Sequence, residues 1–206
     1  QNMQILKFED REQWLLARRG KITGSKLSGI ITKRGDGKKI GYYELIAERL
    51  SITPDGENPM DRGNRLEDEA LDRFEADTGK KLNRDLVIWT RDDNSGIAIS
   101  PDGYVDEKII KEAAECKCLN SARHIEAWLT KVVPKDYEDQ VVQYFCVNDT
   151  LETLYLIFYD PRMIEKVNYF SLTIKRTDVL DKVQKYLEYE RKVIEEIDQI
   201  VNQLTF

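Results

Sequence analysis

Ser100-Pro101-Asp102-Gly103, followed downstream by Glu115-Cys116-Lys117, brings two carboxylates and a lysine to positions where strands would hold them. In an extended strand side chains alternate between faces, so Glu115 and Lys117 share one surface while Cys116 points into the other layer. With Asp102 on the turn before a neighbouring strand, its carboxylate, that of Glu115 and the backbone carbonyl of Cys116 make an all-oxygen site. Hard divalent cations such as Mg²⁺ prefer such donors. The Lys117 ammonium beside them can orient a water or offset charge on a phosphate, which completes the minimum equipment for metal-assisted phosphodiester hydrolysis. Against this stands the plain reading of a turn-forming Asp in Pro-Asp-Gly and a solvated strand Glu and Lys. Taken alone, the two blocks favour the plain reading.

Something must position these residues. At 206 residues, 41% hydrophobic and 34% charged, the chain has the material for one well-cored domain, so 1–206 is read as a single domain. No apolar run reaches the roughly 20 residues that span a bilayer, and the amino end lacks a basic start before an apolar stretch. The expectation is a soluble, cytoplasmic protein without a signal peptide or membrane partner. Three cysteines, two of them Cys116 and Cys118, favour reduced thiols over a disulfide framework or a tetrahedral zinc site. Net charge is −6, but residues 1–41 hold ten Lys/Arg against four Asp/Glu, a local +6, so the other 165 residues carry −12. A basic end on an acidic body can gather phosphate at one surface while the rest repels non-specific DNA.

Periodicity predicts a short amphipathic helix over Asp10 to Arg19 ended by Gly20, and a helix capped by Thr23 through Ile30-Ile31. A Gly/Lys-rich loop follows over 33–41, then a helix over Tyr42 to Leu50, a loop around Pro54 to Pro59 and a charged helix from about Met60 to Ala76. The middle switches to short strands at 86–89, 96–99, 104–105 and 113–118 in hairpin order. Helices are expected over 121–128 and 137–147, a buried strand over Leu154 to Tyr159, another over Val167 to Ile174, and a last helix from Thr177 to about Leu204. A helical amino half, a central mixed sheet and covering helices make an α/β sandwich.

With these pieces placed, the chain resembles the phage lambda exonuclease family, the YqaJ-like viral recombinases within the PD-(D/E)xK nuclease superfamily. The resemblance rests on the run Trp14 to Ser25, Gly63-Asn64-Arg65-Leu66-Glu67, the Asp102 and Lys117 blocks, Gln140 to Tyr144, and Tyr159-Asp160-Pro161-Arg162-Met163. Their order and spacing carry it, since each piece is common. The resemblance implies the superfamily fold and a 5′→3′ exonuclease on linear double-stranded DNA. Such an enzyme leaves a 3′ overhang for a single-strand annealing protein in phage-type recombination. It implies a ring-shaped homotrimer and one or two Mg²⁺ ions, with manganese able to substitute. Alternatives are another nuclease of the superfamily, endonuclease or helicase-associated, and a non-catalytic DNA-end-binding subunit.

By the same resemblance Asp102, Glu115, the Cys116 carbonyl and Glu67 are the expected metal ligands, and Lys117 positions or activates the attacking water. Gln140 is the expected site glutamine, with Gln143 the second choice three residues on. Arg18, Ser25 and Ser100 resemble the residues that hold the 5′-terminal phosphate, for which a guanidinium and hydroxyls are apt donors. Lys33, Arg34, Lys38 and Lys39 are expected to track the duplex, Arg34 reaching the minor groove. His124, the single histidine, is read as a helix residue near DNA or solvent. Arg123 and Arg162 either contact DNA or pair with acids.

Overall fold

A computed structural model describes residues 2–32, 37–50, 61–119 and 121–206. The chain enters not as a helix but as a strand, β1 (Met3–Phe8), the edge of a three-stranded antiparallel sheet of order β1-β2-β3. Its partner β2 (Leu86–Arg91) pairs along its whole length, from Met3↔Arg91 to Phe8↔Leu86, and β3 (Ala98–Ile99) closes the sheet. The second sheet has the order β4-β5-β6-β7, from β4 (Gly103–Tyr104), β5 (Glu112–Lys117), β6 (Thr153–Tyr159) and β7 (Tyr169–Lys175). It is mixed: β5 and β6 run parallel, and the other pairs are antiparallel.

The expected run of hairpins therefore breaks after β3. Ser100-Pro101-Asp102 carries the chain from one sheet to the other instead of turning back, which is why Asp102 comes to lie at the head of β4 and beside β5. A parallel β5–β6 pair needs a crossover. It is supplied by α5 (Ser121–Thr130) and α6 (Lys135–Val147).

Helices cover both faces of the four-stranded sheet, as its strand pattern demands. The stripe of α4 (Asp61–Thr78), Ala70, Leu71 and Phe74, packs with Ala114, Ile157 and Tyr159 on one face. Alternate residues of the same strands, Ala113, Leu154, Leu156 and Phe158, join the main core with Val141, Val142 and Phe145 of α6. Phe74 is completely buried, and truncating such a ring costs about 3–5 kcal/mol. The last helix, α7 (Arg176–Thr205), lies along α6 and turns Leu187, Val193 and Ile197 inward, while Leu180 is exposed. Near the amino end lie α1 (Arg11–Arg18), the single turn α2 (Gly24–Leu27) and α3 (Ile40–Leu50). Gly20 and Gly79 take φ of 71° and 70° just past α1 and α4, the left-handed backbone that ends a helix most cheaply with glycine. No helix among the described residues is long and apolar enough to cross a membrane, and all three cysteines are free thiols.

One acid sits inside this packing. Glu190 on α7 is fully buried, and neither of its carboxylate oxygens has a hydrogen-bond partner. Burial pushes its pKa up to about 8 against the opposing pulls of the Gln143 side chain, Arg91 and Arg191, and the Cys146 thiol also faces it. Gln143 Oε1 is buried without a donor, and a protonated Glu190 has an O–H to offer it. Between about pH 4.5, where the unfolded acid ionises, and about 8, the native chain holds a proton that the unfolded chain releases. Stability must then fall as pH rises through that window. Glu190→Gln keeps a donor and cannot ionise, so its urea midpoint should gain on the parent's between pH 5 and pH 9. A gap that stays constant would show that Glu190 does not titrate in this range.

Candidate active site

Strand alternation on β5 does what the sequence requires. Cys116 turns toward the α4 side and packs near Ala114 and Ile157, while Glu115 and Lys117 face α6. Lys117 Nζ donates to Glu115 Oε1 at 3.0 Å and to Gln140 Oε1 at 2.6 Å, and Gln140 Nε2 donates to the same Glu115 oxygen at 2.8 Å. The other oxygen, Glu115 Oε2, accepts from Tyr144 Oη. Tyr137 completes the stripe, its ring 4.4 Å below the Lys117 ammonium. Positions 137, 140 and 144 lie on one face of α6, so a single helix presents all three groups to one strand.

Asp102 docks from the other side: its Oδ2 accepts the Cys116 backbone N–H at 2.7 Å. Burial first, then the charges of Glu115 and Glu67, push its pKa well up. Glu67, on the first half of α4, is pushed up to about 7 by burial and then by Glu115 and Asp68, with Arg11 and Lys117 pulling the other way. Burial opposes the Lys117 ammonium, but the charge and hydrogen bond of Glu115, with Asp102, hold its pKa above the usual value. Asp102 and Glu67, both raised in part by the charge of Glu115, mark a place short of positive charge, which a cation would supply.

Among the described residues no three His, Cys, Asp or Glu side chains close into a cage for an ion. The donor chemistry nevertheless fits a hard cation. Glu115 offers about four acceptor positions. Lys117, Gln140 and Tyr144 fill three of them. Together with Asp102 and the Cys116 carbonyl this is an open oxygen set, the kind that suits Mg²⁺, which keeps several of its waters.

A second cluster lies at the start of α2. Arg18 Nη2 donates to Ser25 Oγ at 3.2 Å, Thr23 Oγ1 is 3.4 Å from the same hydroxyl, and the Arg18 guanidinium lies 4.4 Å over the Trp14 ring. Ser100 Oγ is buried with no hydrogen-bond partner. Gly24 joins the two clusters. A Cβ there would meet Ile99 Cδ1 at 2.2 Å and Gln140 Cγ at 2.9 Å, so α2 rests on Gln140 with nothing between.

The structure thus brings Glu115, Lys117, Gln140 and Asp102 together, with Glu67 electrostatically coupled to them, and groups Arg18 with Ser25. Gln143 is not at the centre: it is buried, its Nε2 donating to the Ile22 and Ala98 carbonyls at 3.2 Å each. His124 is not near solvent either, being completely buried with Nε2 2.7 Å from the Val167 carbonyl and its ring edge-on to Phe170. Arg162 pairs with Asp160 and donates to the Leu119 carbonyl. Lys38 pairs with Glu196, and Lys39 donates to the Ser28 carbonyl. Arg34 and Lys33 lie outside the described residues. Tyr144 was readable from the sequence only as an inward aromatic. Its place four residues after Gln140, one turn along the same face, was the available signal.

The sequence matches the model of the YqaJ-like viral recombinase domain over residues 13–150. The chain belongs to that family. Its fold is similar to the alkaline exonuclease LHK-Exo from Laribacter hongkongensis, with a TM-score of 0.80 and 27% identity over 94% of this chain and 96% of that one. LHK-Exo in complex with dAMP matches at a TM-score of 0.76 and 26% identity, over 94% and 98%. A phage-related exonuclease from Haemophilus somnus 129PT shares the fold at 16% identity and a TM-score of 0.59, over 89% of this chain and 96% of that one. No curated protein matches the sequence. Family and fold support a nuclease role in recombination, on the PD-(D/E)xK architecture expected from the sequence, with a strand added ahead of its amino-terminal helices.

Gly24→Ala tests the joint between the clusters. Overpacking costs about 1–3 kcal/mol, so the variant should fold with a lowered urea midpoint. The displaced Gln140 should cut turnover of a duplex DNA substrate at least tenfold. Parent-like turnover in a destabilised variant would show that the contact is packing only.

Proposed function

We propose that this chain is a Mg²⁺-dependent 5′→3′ exonuclease that degrades one strand of linear double-stranded DNA and leaves a 3′ overhang for a single-strand annealing protein. The observation that carries the reading is the pair of clusters joined through Gly24. One has the groups for phosphodiester hydrolysis, and the other has a guanidinium and hydroxyls suited to a terminal phosphate. LHK-Exo, similar along nearly its whole length, has been crystallised with dAMP, a deoxynucleoside monophosphate.

When bound, Mg²⁺ would be held by Asp102, Glu115 and the Cys116 carbonyl with Glu67 nearby, and would supply charge stabilisation and a more acidic water. Lys117, fixed by Glu115 and Gln140, presents an N–H toward the attacking water or the phosphoryl oxygens. Gln140 holds Lys117 and Glu115 in register and can direct its amide to the same water. Tyr144 fixes the second Glu115 oxygen and so sets the plane of the carboxylate. Arg18, Ser25 and Ser100 hold the 5′-phosphate, with the orphaned Ser100 hydroxyl awaiting a partner. An end gripped in this way sets the direction of cutting.

A homotrimeric ring closed around DNA and action in the cytoplasm of a bacterial host, from a phage or prophage gene, complete the reading. The free thiols suit a reducing compartment.

Digestion of duplexes labelled at either the 5′ or the 3′ end, with Mg²⁺ and then with EDTA, tests activity, metal and polarity together. The 5′ label should be released first as mononucleotide, only with metal, and Lys117→Ala should abolish release without changing the melting temperature. Early release of the 3′ label, or nicking of closed circular DNA, would overturn the assignment. Arg18→Ala should erase the preference for 5′-phosphorylated over 5′-hydroxyl ends. An unchanged preference would remove Arg18 from the pocket.

A further inference from the structure

Arg11 is a cation that nothing so far uses. It occupies the first position of α1, immediately after the N-cap Asp10, whose carboxylate accepts the Glu12 N–H. A positive charge at a helix amino end opposes the helix dipole, where an acid would be favoured by about 0.3–1 kcal/mol. A residue that works against its local setting is commonly held there for a task elsewhere in the molecule.

Its surroundings define that task. The guanidinium lies 5.1 Å from the centre of the Trp14 ring, which Arg18 also covers at 4.4 Å. Residues 11, 14 and 18 form one stripe of α1, so two guanidiniums flank a single indole. The indole is fixed in turn by Trp14 Nε1 donating to the Val87 carbonyl at 3.2 Å. The Arg18 end of the stripe reaches Ser25. The Arg11 end lies within electrostatic reach of Glu67, whose proton affinity its charge lowers. Yet Arg11 makes no salt bridge among the described residues, and its Nε is buried with no hydrogen-bond partner. A half-buried guanidinium with an orphaned Nε, set beside an indole that a second guanidinium also covers and within electrostatic reach of Glu67, is organised to receive an anion.

We propose that Arg11 binds the phosphodiester that follows the gripped 5′ end, so that the stripe Arg11-Trp14-Arg18 holds two successive phosphates, Arg18 the terminal one and Arg11 the one presented for cutting. This rests on the exonuclease reading above and deepens it. Arg11 acts on an internal phosphate that every duplex end possesses, so its contribution is the same whether or not the 5′ end is phosphorylated. Arg18 acts only on the terminal group.

The test is Arg11→Ala and Arg11→Lys in the full chain, read in two ways. In EDTA, titration with blunt duplexes bearing 5′-phosphate or 5′-hydroxyl ends should show Arg11→Ala binding both about tenfold more weakly. The slope of log affinity against log salt should be smaller by about 1. With Mg²⁺, kcat/KM should drop by a similar or larger factor on both ends, and Arg11→Lys should restore part of the loss by keeping the charge without the guanidinium fork. Melting temperature should be unchanged or slightly higher, since the dipole conflict is removed. Unchanged affinity and salt slope would overturn the proposal. So would a loss confined to phosphorylated ends, or a change only in the Mg²⁺ concentration required, which would make Arg11 a neutraliser of Glu67. If the parent degrades no duplex, the exonuclease reading fails, and the metal-free binding arm still decides whether Arg11 holds a backbone phosphate.

Discussion

A carboxylate buried in the middle of a sheet is the constraint around which this molecule is arranged. Glu115 is 5% exposed, and an ionised group so placed costs several kcal/mol unless donors replace its lost water. Its own strand can supply only one, Lys117, because alternation sends the intervening residue to the other face. The remaining donors come from α6, and they arrive in correct register only if α6 lies across the end of β5 at one rotation. That rotation is fixed from the far side. Gln143 hydrogen-bonds to the Ile22 and Ala98 carbonyls, and Arg91 of β2 donates to the Cys146 carbonyl at 2.6 Å. The helix that satisfies Glu115 is therefore also the helix that ties the three-stranded sheet to the four-stranded one.

The compensation is incomplete in a way that stability alone would not favour. Lys117 and Gln140 share one Glu115 oxygen, while Asp102 and Glu67 both stand near enough for the Glu115 charge to raise their proton affinity. A core built only to be stable would replace such a set with apolar side chains at little cost or with some gain. Perturbed acids gathered beside one well-held lysine are the signature of a site kept for chemistry. The Glu190 pocket makes a useful contrast. It too is a buried acid, but its surroundings are Gln143, Cys146 and the more distant charges of Arg91 and Arg191, and no lysine or second carboxylate converges on it.

The sequence revealed what depends on neighbours in the chain. Alternation placed Glu115 and Lys117 on one face, Pro-Asp-Gly marked a turn at Asp102, and helical spacing marked the helix that became α4. What it hid depends on contacts made across long separations. β1 has an edge position with Ile5 and Leu6 exposed, so its residues lack a clean apolar face, and its existence rests on the ladder to β2 some eighty residues away. The switch between sheets at Ser100-Pro101-Asp102 has the same local chemistry as a hairpin turn. Tyr144 reads as core because it is core. Only the position of Glu115, 29 residues earlier, tells that its hydroxyl is employed. His124 shows the opposite error, since a lone polar ring suggests a surface until Val167 and Phe170 are found enclosing it. Choosing Gln140 over Gln143 required knowing which way α6 is rotated, and that is set by the two sheets together.

The charge distribution acquires a mechanical meaning from these contacts. The basic amino end is not a diffuse patch. Its Arg11 and Arg18 flank Trp14, Lys26 pairs with Glu48 at 2.6 Å, and Lys38 pairs with Glu196. Among the described residues some of this positive charge is paired off with acids, and Arg11 and Arg18 set another part on one stripe of α1, beside an acidic centre that would repel DNA unless a cation lay between them. Direct packing of Gly24 on Gln140 holds stripe and centre at one separation, since no side chain intervenes that could change rotamer. Under the proposed activity that separation is a ruler: the distance from the gripped end to the bond cut is set by a glycine with no room for a methyl group, and not by a loop.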